Sequence, residues 1–99
     1  MSTSARRNPR HTIKLGAAIR HPKSARIIDA PLIDLSAGGC KFVSAEPLAN
    51  GTEVLVKIPG LEYWPAKVAW SDRRFVGLEF VKVLSAYVVD HYVRQFGGV

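Results

Sequence analysis

Apolar and polar residues alternate along most of this chain, which is the pattern of β-strands that bury one face. The clearest example is the segment His11–Arg20. Its apolar side chains occupy every second position: Ile13, Leu15, Ala17 and Ile19. We therefore predict that this segment is the first strand of a sheet.

Further segments show the same signal and are separated by turn-forming residues. We predict strands over Ala25–Leu35, Cys40–Val43, Glu53–Ile58, Tyr63–Ser71 and Phe75–Phe80. Pro31 indicates a bulge or a sheet edge within the second strand, because proline cannot donate a ladder hydrogen bond. Asp34–Gly39 is expected to form a tight polar turn. Short strands joined by turns favour an all-β fold, a small closed or partly closed antiparallel barrel.

The hydrophobic period changes near the end of the chain. Apolar residues now recur every four positions: Leu84, Val88, Tyr92 and Phe96. Ser85 is a suitable N-cap, and Gly97 follows the last apolar residue. The spacing predicts an amphipathic helix over Ser85–Phe96. Its apolar face either packs on the barrel or forms a surface for a partner.

Length and composition are typical of one small domain, with 99 residues of which 47% are hydrophobic. We expect a basic, flexible arm over residues 1–9 and a barrel with its helix over residues 10–99. No apolar run approaches the roughly 20 residues of a spanning helix, and the N-terminus lacks the apolar core of a signal peptide. A cytoplasmic protein is expected. Cys40 is the only cysteine and is expected to be a small buried hydrophobe, without a metal site.

The formal net charge of +6 is unevenly distributed along the chain. Residues 1–26 contain 7 Lys or Arg and no acidic residue, whereas the remainder contains 7 Lys or Arg and 8 acidic residues. The basicity therefore belongs to the N-terminal arm and the first hairpin. Such a local concentration favours an anionic partner, although a solvated basic tail is the alternative.

Two short segments carry the candidate chemistry. They are Arg6-Arg7-Asn8-Pro9-Arg10 and Asp34-Leu35-Ser36-Ala37-Gly38-Gly39. Arginine forks fit phosphates and the O6/N7 edge of guanine, and glycine allows close approach of the backbone. The order R-x-x-x-R followed by D-x-S-x-x-G resembles the signature of the PilZ domain, a family of cyclic di-GMP receptors.

The resemblance extends to the later strands, where Val68-Ala69-Trp70 and Val76-Gly77-Leu78-Glu79-Phe80 look like the family's last strand pair. It implies a six-stranded antiparallel barrel with an attached helix, and an arginine-bearing arm that closes over the barrel on binding cyclic di-GMP. The ligand-binding residues that the resemblance implies are Arg6, Arg7, Arg10, Asp34, Ser36 and Gly39. Many members carry two adjacent arginines and count the motif from the second, which here would place His11 at the last position. Counting from Arg6 keeps Arg10 at that position and makes Arg7 an inserted neighbour.

These features predict a cyclic di-GMP receptor or adaptor that signals to a protein effector through ordering of its arm. One alternative is a basic OB-like barrel that binds nucleic acid through a stacking set of Tyr63, Trp64 and Trp70, although Trp70 is rather expected in the core or barrel wall. Another is a PilZ-like module that binds only protein. An enzyme is not expected, because the sequence has no nucleophile–base pair, P-loop or dinucleotide fingerprint.

Overall fold

A computed structural model describes residues 10–21, 23, 26–44 and 48–97. Its strands are β1 His11–Arg20, β2 Ile27–Leu35, β3 Gly39–Val43, β4 Glu53–Lys57, β5 Trp64–Ser71 and β6 Phe75–Phe80. All pairings are antiparallel, and the order β1-β2-β3-β6-β5-β4 closes through pairing of β4 with β1. The predicted six-stranded antiparallel barrel is therefore confirmed.

The interior of the barrel is filled by the apolar residues of the alternating pattern. The largest fully buried side chains are Phe42, Ile13, Ile19, Leu32, Leu35, Ile58, Val56 and Val76. The predicted inward face of β1 is confirmed at Ile13, Leu15 and Ile19, whereas Ala17 is only half-buried. Complete burial of one such side chain stabilises the fold by about 1.5–3 kcal/mol.

The second strand runs without interruption through Pro31, which pairs with Gly16 of β1. The irregularity expected there lies further along, between Leu32 and Asp34 of β2 and between Thr12 and Leu15 of β1. Pairing with β3 begins only at Leu32, so Pro31 lies on a stretch of β2 that pairs with β1 alone among the named strands. A proline is tolerated there because its missing N–H faces no second strand.

One turn boundary was predicted wrongly. The predicted strand Ala25–Leu35 and the predicted turn Asp34–Gly39 both contained Asp34. It lies within β2, where it pairs with Thr12 and with Lys41. The turn itself comprises only Ser36, Ala37 and Gly38, and Gly39 already begins β3. Asp34 is therefore fixed by strand pairing on both sides.

The C-terminal helix, α1, spans Ala86–Phe96. Ser85 is its N-cap, as predicted, because the side chain accepts a hydrogen bond from the N–H of Val88 at 3.2 Å. Gly97 lies at its end and donates its N–H to the carbonyl of Val93. No helix in the described part of the chain is long and apolar enough to cross a membrane.

The apolar face of α1 packs against the barrel. Val89 and Tyr92 are buried, and the Tyr92 hydroxyl donates a hydrogen bond to the carbonyl of Pro59. Burial raises the pKa of Tyr92 above its usual range, so this hydroxyl keeps its proton. The end of the helix is also fixed to β1, through a bridge between Gly97 and Ile13. Of the two alternatives for the apolar face, packing on the barrel is therefore correct.

Candidate functional site

A cleft of about 330 Å³ lies on the outer surface of the barrel beside β3 and β6. Four of the predicted site residues line it: Arg10, Asp34, Ser36 and Gly39. Arg6 and Arg7 lie outside the described residues. Strand pairing thus brings the last arginine of the first motif to the second motif, although more than twenty residues separate them in the sequence.

Arg10 and Asp34 form the charged side of the cleft. The Nη1 atom of Arg10 lies 3.9 Å from the Oδ2 atom of Asp34, and the two side chains are 59% and 17% exposed. A long, partly exposed ion pair of this kind contributes little to stability. It leaves guanidinium donors available, since arginine carries five N–H groups in a fixed fork. The pair can therefore accept an anion without breaking up the fold.

Ser36 holds the turn of the second motif in shape. Its buried Oγ accepts hydrogen bonds from the N–H groups of Gly38, at 3.2 Å, and Gly39, at 3.1 Å. The hydroxyl donates to the Gly39 carbonyl at 3.3 Å, and the Ser36 N–H donates to that carbonyl at 2.9 Å. This is the self-bonding that serine offers in tight turns. The hydroxyl therefore has a structural role in the protein without ligand.

Gly39 is required by the barrel itself. A Cβ atom at this position would lie 2.2 Å from the carbonyl oxygen of Leu78 on β6, far inside a normal contact. The neighbouring atom is backbone and cannot move aside without disturbing the pairing of β3 with β6. The last glycine of the motif thus allows β6 to approach, and it fixes the floor of the cleft.

The turn is also connected to the segment that leads into α1. The Phe80 N–H donates to the Gly38 carbonyl at 2.8 Å, and the Leu84 N–H donates to the Ala37 carbonyl at 2.8 Å. Val83, between these two donors, lines the cleft and is exposed. Only a few residues along the chain therefore separate the cleft from the start of α1.

Lys41, Glu79 and Trp70 also line the cleft, although none of them was among the predicted ligand-binding residues. Lys41 lies on the outer face of β3 because its neighbours Cys40 and Phe42 face inwards. The alternation of residues along β3 was enough to predict that Lys41 faces outwards. Its Nζ lies 5.2 Å from the centre of the Phe75 ring, which keeps the positive charge at the barrel surface.

Trp70 reaches the outer wall because of a β-bulge. Val68 pairs with Leu78 and Trp70 pairs with Gly77, so Ala69 is an extra residue in β5. The bulge turns the indole outwards, where it lies on Gly77; a Cβ atom there would be 2.1 Å from the indole Nε1. Trp70 therefore lies in the barrel wall, as expected, but it also faces the cleft.

The other aromatic residues of the proposed stacking set lie elsewhere. Trp64 is half-buried, and its Nε1 donates to the Lys82 carbonyl at 2.7 Å. Tyr63 does not line the cleft. The three rings therefore do not form one surface on which successive bases could stack, which removes the main support for the OB-like alternative.

Two further kinds of site were considered, a reactive thiol at Cys40 and a metal site. Burial, and secondly the negative charge of Asp34, raise the pKa of the Cys40 thiol well above its usual range. The thiol therefore stays neutral and unreactive in the folded protein. Among the described residues, no group of three His, Cys, Asp or Glu side chains is placed to hold a metal ion.

Residues 4–95 match the PilZ domain family, and the chain therefore belongs to that family. PilZ domains are receptor and adaptor domains. No curated protein is similar enough to the chain to count as a match.

Several solved structures share this fold, among them the following three. The PilZ domain of CeSA from a cellulose-synthesizing bacterium superposes with a TM-score of 0.65 at 17% identity, covering 88% of this chain and 92% of that one. The inhibitor of motility from Bacillus subtilis gives 0.67 at 20% identity, covering 89% and 49%. YcgR from Escherichia coli, in complex with c-di-GMP, gives 0.62 at 20% identity, covering 90% and 43%. The chain thus spans about half the length of the latter two proteins.

Proposed function

We propose that this protein is a receptor or adaptor that binds cyclic di-GMP in the cleft and passes the signal to a protein effector. The observation that carries the proposal is the meeting of Arg10 with Asp34 and the Ser36 turn in one cleft of a PilZ chain. The fold neighbour YcgR, whose structure contains c-di-GMP, supports the same ligand class. We expect binding without catalysis, and a cytoplasmic location stays a prediction.

The cleft offers complementary groups for a guanine dinucleotide. Arg10 presents a planar fork to a phosphate or to the O6/N7 edge of guanine. Asp34 is an acceptor for the N1 or N2 donors of guanine. Ser36 can add its hydroxyl if it gives up the 3.3 Å bond to Gly39. Lys41 and Trp70 extend this site with a second positive charge and an aromatic face.

Arg6 and Arg7 complete the proposed site from the N-terminal arm. The arm is rich in arginine and poor in apolar residues, so its composition gives it little that could be buried. Two ligand phosphates would neutralise several arginines and hold the arm on the barrel. Fixing each residue costs about 1–2 kcal/mol, which charge-assisted hydrogen bonds of about 1.5–3 kcal/mol each can offset. We propose that this ordering creates the surface that an effector recognises.

Calorimetry with cyclic di-GMP and, separately, with oligothymidylate tests the ligand class. The double variant Arg6→Ala, Arg10→Ala should lose at least about 1.5–3 kcal/mol of cyclic di-GMP binding. The control Lys14→Ala, Lys67→Ala removes the same charge from exposed strand positions outside the cleft and should bind normally. Both variants should unfold at the temperature of the parent protein.

Two results would contradict this function. One is unchanged cyclic di-GMP affinity in the folded arginine variant. The other is tight binding of oligothymidylate with no binding of the dinucleotide, which would restore the nucleic-acid alternative.

Hydrogen exchange with and without cyclic di-GMP tests the proposed switch. Residues 2–10 should exchange more slowly when the ligand is present, whereas the barrel strands should not change. Protection of the arm in the protein without ligand would show that the signal arises elsewhere, for example at α1.

A further inference from the structure

A second basic surface lies away from the cleft. Arg20 ends β1 and Lys57 ends β4, and both contact the ring of Tyr63. The Cζ atom of Arg20 lies 5.6 Å from the ring centre, and the Nζ atom of Lys57 lies 5.7 Å from it. We call Arg20, Ile27, Lys57 and Tyr63 the Tyr63 patch. None of these residues lines the cleft.

Strand register explains why the patch forms. Lys57 pairs with Ala18 and Arg20 pairs with Leu55, so both cations project from the outer face of adjoining strands. On the other side of β1, Ile27 is the direct partner of Arg20. Ile27 is 50% exposed and Tyr63 is 38% exposed, although both are large and apolar. The patch therefore combines two cations with exposed aliphatic and aromatic surface.

The positive charges of the patch have no ion-pair partner in the described part of the chain. Neither Arg20 nor Lys57 forms an ion pair there, although Asp29 lines the same shallow depression as Lys57. Lys57 Nζ donates to the Leu61 carbonyl at 2.6 Å. Arg20 Nε is buried and has no hydrogen-bond partner within the described part of the chain. Lys57 is thus held by the ring and a carbonyl, and Arg20 by the ring. This placement lowers the entropic cost of binding an anion.

We propose that the Tyr63 patch binds an acidic segment of a protein partner, one that also carries an apolar side chain. Carboxylates match the guanidinium of Arg20 and the ammonium of Lys57. Ile27 and Tyr63 supply the apolar contact that such a segment would bury. Arginine and tyrosine are also the residue types that most often dominate the binding energy of protein interfaces.

The form of the patch favours a peptide over a lipid surface or a nucleic acid. The hairpin beside the patch also carries Lys23 and Arg26. Charge alone therefore does not separate a peptide from a lipid surface or a nucleic acid, which also attract clustered or striped Lys and Arg. Here the two central cations are partly buried against one ring. The site is therefore compact and has a defined geometry. It is independent of the proposed cyclic di-GMP cleft, so either could fail without the other.

Titration of the isotope-labelled protein with a synthetic peptide of alternating Glu and Leu tests the proposal by NMR. The largest amide shifts are expected at Arg20, Ile27, Lys57 and Tyr63, with no competition from cyclic di-GMP. The variant Arg20→Gln, Lys57→Gln should weaken binding by about tenfold or more. The control Lys14→Gln, Lys67→Gln removes the same charge from exposed positions of β1 and β5 and should bind like the parent.

Several outcomes would overturn the proposal. They are an absence of shifts with the acidic peptide, equal shifts with a peptide of alternating Lys and Leu, and equal weakening in the control variant. Phosphatidylserine vesicles or oligothymidylate that perturb the patch more strongly than the peptide would overturn it in favour of a lipid or nucleic-acid partner.

Discussion

The inner and outer faces of β3 differ in what they contribute to the molecule. Cys40 and Phe42 are buried in the core, although Cys40 also borders the cleft, whereas Gly39 and Lys41 line the cleft and are half-exposed. Alternate residues of this five-residue strand therefore face either the core or the outer surface. We therefore expect substitutions on the inner face to change stability and substitutions on the outer face to change ligand binding.

The inner face should show the largest effect. Phe42→Ala removes a fully buried aromatic ring and should lower the free energy of unfolding by about 3–5 kcal/mol. Urea unfolding followed by tryptophan fluorescence measures this change. A loss below about 1 kcal/mol would show that the barrel collapses around the vacated space.

Gly39 should be an exception to this division, because its substitution on the outer face should lower stability. Gly39→Ala places a Cβ atom against the Leu78 carbonyl and should cost about 1–3 kcal/mol of stability, as overpacking does. Gly16→Ala is the matched control, since nothing lies within 4 Å of its added Cβ atom. Thermal unfolding of both variants should show a lower midpoint for Gly39→Ala alone.

Arg10 precedes β1 and lines the same cleft, where it should separate the effect of charge from that of side-chain geometry. Arg10→Lys keeps the positive charge and loses the planar fork, so cyclic di-GMP binding should weaken by about 0.5–1.5 kcal/mol. The unfolding midpoint should not change, because the side chain is mostly exposed. Full affinity in calorimetry would mean that the cleft attracts its ligand through charge alone.

An effect no larger than that of Arg10→Lys is expected at Gly77, on the outer face of β6. Gly77→Ala meets the indole of Trp70, a side chain that can rotate away. The displacement should cost about 0.5–1.5 kcal/mol, the strain of an off-rotamer side chain, and it should appear mainly as weaker cyclic di-GMP binding. A change in Trp70 fluorescence without a change in affinity would exclude this ring from the ligand site.

Much of the fold was predictable because burial has the same period as the strand. The strand Phe75–Phe80 was predicted with its observed bounds. The observed strand β4 ends one residue before its predicted end, and the observed strand β5 begins one residue after its predicted start. The capping serine of α1 was equally clear, since its side chain acts on a residue only three positions away. Local chemistry of this kind is fully contained in a short window of sequence.

Features that depend on pairing between distant strands were not predictable. The bulge at Ala69 reverses the side on which Trp70 lies, and only the register with β6 reveals it. Asp34 was predicted both in the strand Ala25–Leu35 and in the turn Asp34–Gly39, because aspartate favours turns. Only its pairing with Thr12 and Lys41 assigns it to the strand. The Tyr63 patch likewise requires β1 and β4 to be neighbours.

The single cysteine gives this barrel a built-in chemical probe of its opening. Cys40 borders the cleft, but its thiol is buried and protonated, so a maleimide should modify it only when the strands around it open. The rate of modification then measures how often that opening occurs. A ligand bound over β3 would slow the reaction in proportion to its occupancy, which makes affinity measurable on the native chain without an added label.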